Sequence, residues 1–155
     1  MGRAALVGLV LLAAELLPAC GGEAGLSPGE VMALAEAEAR WADRGPVHYT
    51  LEVRRTCFCA PPSTDWAEIE VDHDTLVRVT LLATGDSVPR AEWGIRPPVP
   101  RLFEEIRTFH SRLLKDVRAD YDPATGYPRR MVFTAGGDVG DANYHVEARH
   151  LVALP

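Results

Sequence analysis

The sequence predicts an α+β fold: two helices packed on one face of a curved, mainly antiparallel sheet of about six strands, in the order α-β-β-β-α-β-β-β. Three observations predict it. Two segments carry apolar residues at helical spacing, each as a single stripe. Other segments alternate apolar and polar residues, the pattern of antiparallel strands with one packed and one wet face. Clusters of Gly, Pro and Asp separate the segments, and the second half repeats the order of the first.

The chain opens with Arg3 and a nearly unbroken apolar run from Ala4 to Ala14. That run is too short to span a bilayer and suits a secretory leader. Leu17-Pro18-Ala19-Cys20, followed by Gly21-Gly22, resembles a bacterial lipobox. The expectation is a lipoprotein-type signal peptide over 1–19, lipidation of Cys20 as the first mature residue, a tether over 20–26, and a single domain over 27–155. Glu15 and the lone Arg3 fit this pattern less well. Ordinary signal cleavage and a buried N-terminal helix are the competing readings. Gly21 in place of aspartate favours the outer membrane, facing the periplasm, in a Gram-negative source.

Ser27-Pro28-Gly29-Glu30 reads as a helix start, with Ser at the N-cap, Pro at N1 and Glu at N3. Val31, Leu34, Ala35, Trp41 and Ala42 then form an apolar stripe, interrupted by Glu38, and Gly45-Pro46 ends the helix. Strands are expected over 48–57 (Tyr49, Leu51 and Val53 inward), at Ala67, Ile69 and Val71, and at Val77, Val79 and Leu81. Residues 84–98, with Gly85, Pro89, Gly94 and Pro97-Pro98, read as a loop. Val99, Leu102, Phe103, Ile106, Phe109 and Leu113 make the second amphipathic helix. Strands at Val117 to Tyr121, Arg130 to Thr134 and Tyr144 to Leu154 complete the plan, with a turn at Asp122 to Gly126 and a loop at Gly136 to Asp141.

This layout resembles the bacterial domain of unknown function 6174. The resemblance rests on Tyr49 followed by Cys57-Phe58-Cys59, the Val99…Leu102-Phe103…Ile106 helix, Tyr121-Asp122-Pro123 with Gly126-Tyr127-Pro128, and Asp141…Tyr144. It implies exported or lipid-anchored α+β proteins and carries no known activity. Two local departures stand out: Pro98 where that family often caps the second helix with Ser or Thr, and Asp72-His73-Asp74 where it often has an Asp-Gly or Asn-Gly hairpin.

With Cys20 lipidated, Cys57 and Cys59 are the remaining thiols of the three cysteines. An exported domain favours pairing them. Residues two apart in an extended strand have Cα atoms about 6.5–7 Å apart, at the limit for a disulfide. A bond therefore requires the chain to bend there, and Ala60-Pro61-Pro62 is consistent with a bend. A small redox or metal-handling protein using this pair is the alternative. No histidine lies at ligand spacing from the cysteines, and thioredoxin-type chemistry uses C-x-x-C at a helix start.

The remaining chemical-looking motifs have plainer readings. His145 and His150 are five apart in a strand pattern and are expected on opposite faces, which is not the helical H-E-x-x-H arrangement. Asp138 and Asp141 fit a Gly/Asp turn better than a calcium loop. No nucleophile motif or phosphate-binding loop occurs, so no enzyme, cofactor or metal is expected.

The net charge is −6, and the leader's Arg3 and Glu15 cancel, so it persists in the mature chain. Such a balance offers no basic patch for nucleic acid, and the lipid on Cys20 is the expected link to the membrane. Trp41 is expected in the core stripe. Trp66, facing outward with Glu68, and Trp93, in the Pro-rich loop, are the candidate binding residues. The functional expectation is an exported, lipid-anchored binding module of the cell envelope with an envelope protein as partner.

Overall fold

In a computed structural model, residues 25–60, 63–109, 114–136 and 142–155 are described. The candidate lipidation residue Cys20, the leader 1–19 and most of the 20–26 tether lie outside these residues. So do Pro61-Pro62, His110, Leu113, Asp138 and Asp141. Among the described residues no helix is long and apolar enough to cross a membrane.

Six strands form one antiparallel sheet: β1 (His48–Thr56), β2 (Ala67–Asp72), β3 (Thr75–Leu81), β4 (Leu114–Tyr121), β5 (Pro128–Ala135) and β6 (Tyr144–Ala153). The order across the sheet is β3-β2-β1-β6-β5-β4. Each half is thus a three-stranded meander, and the two are joined at the centre by β1 against β6. Helix α1 (Pro28–Arg44) precedes the first meander and α2 (Val99–Arg107) the second. The expected fold class and element order hold, with one addition: a 3-10 helix, Arg90–Ile95, inside the segment read as a loop.

The core fills the helix-facing side of the sheet. Tyr49, Leu51, Val53, Ala67, Ile69, Val71, Met131, Phe133 and Val146 alternate into it, and Val99, Leu102, Phe103 and Ile106 of α2 close over it. Trp41 of α1 meets Tyr49 edge-on at 5.5 Å, and Phe103 stacks on Tyr121 at 6.3 Å. The α1 stripe is narrower than expected: Leu34 and Ala37 are buried and Trp41 partly so, while Val31 is exposed. Gly126 lets α1 approach the β4–β5 turn. It has φ +88°, and a Cβ there would meet the Ala37 carbonyl oxygen at 2.2 Å.

The helix starts account for their own amides. Glu30 N–H donates to Ser27 Oγ at 3.3 Å and Ser27 N–H to Glu30 Oε2 at 2.8 Å, a complete capping box. At α2 the N-cap Pro98 has no side-chain hydroxyl to offer. The Val99 N–H instead donates to the buried Tyr49 hydroxyl at 3.2 Å, and Arg101 and Leu102 N–H share the Pro98 carbonyl. Pro100 has no N–H to satisfy.

The β1–β6, β2–β3 and β4–β5 pairings all contain register shifts, and those of β2–β3 and β1–β6 alter the expected facing. The β2–β3 register shifts after Glu70↔Arg78 to Val71↔Leu76, so Val77 is the extra residue. Leu76 packs on the core and Val77 is exposed, correcting the inward placement of Val77. The β1–β6 register shifts between Thr50↔Val152 and Glu52↔Arg149, with His150 at φ +54°. The expected opposition of His145 and His150 fails for this reason: beyond the bulge, His150 turns to the same outer face as Arg149.

Candidate functional site

The outer face of the sheet, away from the helices, is a lattice of charged side chains around one indole. Trp66 immediately precedes β2 and is half-buried. The guanidinium carbon of Arg54 on β1 lies 4.8 Å from its ring centroid, and that of Arg149 on β6 lies 4.0 Å away. Each arginine is fixed in turn. Arg54 Nε donates to Glu147 Oε2 at 3.1 Å, and its terminal nitrogen pairs with the same oxygen. Arg149 Nε donates to Glu52 Oε2 at 2.7 Å. His150 Nδ1 sits 3.0 Å from the other Glu52 oxygen. Partial burial pushes the Glu52 carboxyl up, but the hydrogen bonds from His150 and Arg149 together outweigh it and hold the group below its ordinary value.

Strand register explains this convergence. Glu52 pairs with Arg149 and Arg54 with Glu147, so acid and base face each other directly across the β1–β6 seam. The alternation of sign continues to β5, where Arg130 stands in register between Glu147 of β6 and Asp120 of β4 without an ion pair to either. At the other end, Glu70 lies between His48 and Arg78, at 3.3 Å and 2.8 Å. A guanidinium over an indole contributes roughly 0.5–1 kcal/mol at an exposed site, enough to favour one indole orientation.

Two shallow concavities flank Trp66 and share it and Arg149 as walls. One adds Arg54, Asp65 and Leu82. The other adds Asp120, Arg129, Arg130 and Glu147. Arg129 and Arg130 are exposed and hold no ion pair among the described residues.

Trp93 does not join this surface. Its indole N–H donates to the Val88 carbonyl at 2.8 Å, and its ring packs against the core on the helix side, with Arg90 stacked 5.1 Å from the ring centroid. The two candidate tryptophans thus lie on opposite sides of the sheet. Cys57 and Cys59 are joined as a disulfide with Cα atoms 5.1 Å apart. The approach is closer than extended geometry allows because β1 ends at Thr56 and the chain bends at Cys57-Phe58.

The sequence pattern did not single out a second polar cluster, at the helix-side edge near the end of β1. One terminal nitrogen of Arg55 donates to both carboxylate oxygens of Glu105 on α2, at 2.7 and 3.0 Å, and the guanidinium stacks on Tyr144, whose hydroxyl donates to Glu105 at 3.1 Å. Burial, reinforced by the Glu105 charge, pushes the Tyr144 phenol up to about 12. The only early signal was Arg55 standing where the alternation calls for an inward residue. Among the described residues no group of three or more His, Cys, Asp or Glu is arranged to hold a metal.

A profile for a family of unknown function, DUF6174, matches residues 33–152. The chain belongs to this family. The match begins inside α1 and ends in β6, so the DUF6174 unit contains both meanders, both helices' core contacts and the whole Trp66 face. Among curated proteins and among solved structures, none matches the chain.

Proposed function

We propose that this DUF6174 protein is an exported, lipid-anchored module that binds a partner protein of the cell envelope through the Trp66 face. The observation that carries the reading is the fixation of Trp66: two arginines hold the indole, and each is itself held by a carboxylate from a neighbouring strand. An aromatic anchor ordered before binding loses little entropy on association. The partner's chemistry follows from charge. The protein is acidic overall, yet Arg129 and Arg130 sit beside Trp66 with no ion pair among the described residues. An extended acidic segment lying across the strands, with one apolar side chain against the indole, complements that surface. The lipidated Cys20 of the sequence reading would keep the module at the membrane where such a partner resides, and acyl anchoring needs no cationic surface.

A photo-crosslinking residue placed at Glu68 on the outer face, in the full chain in its own membrane, tests this. A discrete protein adduct is expected, its capture reduced about 30-fold or more by Trp66→Ala, as for an anchor contributing about 2 kcal/mol. The same crosslinker at Ala33 on α1 should give none. Equal adducts from both positions, or an adduct indifferent to Trp66→Ala, would rule the face out. Mass spectrometry of the N-terminus tests the anchor: an acylated Cys20 is expected, and an unmodified N-terminus excludes it.

A further inference from the structure

We infer that the Cys57–Cys59 disulfide is an exchangeable bond that oxidises dithiols in a partner polypeptide, with Phe58 as the contact that brings the partner to it. The inference is independent of the Trp66 face.

The bond does little for the fold. Neither cysteine belongs to the core or to the residues packed against it. The β1–β6 pairing already extends to Thr56↔His145 without it. The link closes a loop over a sequence separation of only 2, so it removes little freedom from the unfolded chain. The adjacent arginines are occupied elsewhere, Arg54 with Glu147 and Trp66, Arg55 with Glu105 and Tyr144. A disulfide with no core contact and little entropic effect is poorly explained as a staple.

Its surroundings suit exchange. Cys59 is exposed and Cys57 partly so, and exposed disulfides are the labile ones. Phe58, between them, is 87% exposed, the most exposed of the large hydrophobic residues described. In such an exchange that ring has a use: an apolar contact for an extended or unfolded chain beside the disulfide. An exported location supplies the oxidising surroundings that such a bond needs.

The step balances as ordinary thiol–disulfide exchange. A thiolate of the partner attacks Sγ of Cys59, the more exposed of the two residues. A partner–Cys59 disulfide forms, the Cys57–Cys59 bond breaks, and its electron pair leaves on Cys57 Sγ, which takes up a proton from water. The partner's second thiolate then attacks its own sulfur in the mixed disulfide and releases Cys59 as thiolate, which takes up the second proton from water. The partner loses two electrons and two protons, and the Cys57/Cys59 pair gains them. A small disulfide such as glutathione disulfide restores the starting bond by the same exchange in reverse.

The test uses the full chain in detergent micelles, a synthetic peptide with two cysteines flanked by apolar residues, and glutathione disulfide as terminal oxidant. The wild-type chain is expected to speed peptide oxidation at least tenfold over glutathione disulfide alone. Cys57→Ser and Cys59→Ser should each remove the acceleration. Phe58→Ala should slow peptide oxidation severalfold while leaving the equilibrium of the Cys57/Cys59 pair with glutathione unchanged. A thermal melt of the double serine variant supplies the fold control. Three results would overturn the inference: a disulfide that resists excess reduced glutathione, peptide oxidation no faster than the glutathione background, or a double variant that fails to fold.

Discussion

Tyr49 shows how one side chain serves two elements. Its place on the inward side of β1 is legible from the alternation of apolar residues in the sequence. The destination of its hydroxyl is not, because the partner lies 50 positions away at the start of α2. Pro98 cannot cap that helix with a side chain, and the Tyr49 hydroxyl accepts the Val99 N–H in its place. Burial raises the Tyr49 phenol well above its ordinary value, which favours the neutral hydroxyl. Tyr49→Phe keeps the ring and its contact with Trp41 but strands a buried N–H. The expected loss is about 1–3 kcal/mol of unfolding free energy, read from urea transitions at unchanged slope. A loss below about 0.5 kcal/mol, within the range of ordinary surface substitutions, would show that water satisfies the Val99 amide instead.

At the level of elements, the helices, the strands and their order were legible because each carries a full period of its own pattern. The register shifts were not, because a one-residue insertion leaves the letters of an alternating strand unchanged while reversing every residue beyond it. Thus Val77 and Leu76 exchange faces, and His150 joins Arg149 on Glu52. The Trp66 site shares this limit. The outward facing of Trp66 was legible, but Arg54, Arg149, Glu52 and Glu147 become a unit only through the β1–β6 register, which pairs residues 93 and 97 positions apart. The β2–β3 hairpin exposes a locally unfavourable choice. His73 and Asp74 both have positive φ, 46° and 60°, between the paired Asp72 and Thr75. That is the conformation for which two-residue hairpins prefer Asn-Gly or Asp-Gly. Asp74→Gly should therefore stabilise the domain by about 1 kcal/mol, raising the melting temperature by several degrees. Asp74→Val, with a branched Cβ in the same conformation, should lower it. If glycine lowers the melting temperature, the Asp74 side chain contributes a contact that outweighs its backbone strain.

The molecule as a whole is tied together by polar contacts that titrate, and their signs define a window of stability. Glu52 and Glu70 lie below their ordinary 4.5, and Asp122 below 3.8. Hydrogen bonds from Arg78 and then His48 lower Glu70. For Glu52 and Asp122, burial is the largest single influence and acts upward, but the hydrogen bonds they accept outweigh it. A carboxylate with a depressed folded pKa contributes stability above its unfolded pKa and loses it as pH falls through the folded one. His48 has the opposite sense. The Pro155 carbonyl, 3.1 Å from Nδ1, is the main influence, and Glu70, 3.3 Å from Nε2, adds to it; both favour the imidazolium and raise it above 6.5. Its contribution is complete below 6.5 and fades as pH rises through the higher folded value. Tyr121 and Tyr144, pushed up to about 12 by burial, add a third limb: above their ordinary 10 the unfolded chain ionises first and gains. Stability is therefore expected to be greatest between about pH 5 and 6.5, to fall gently on the His48 limb, and to fall again above pH 10. Thermal melts from pH 3 to 11 would trace the profile, and His48→Gln should flatten only the limb that begins above pH 6.5. If that limb persists in His48→Gln, another group couples the β1 start, Glu70 and the C-terminal residue, and the His48 bridge is incidental to the union of the two meanders.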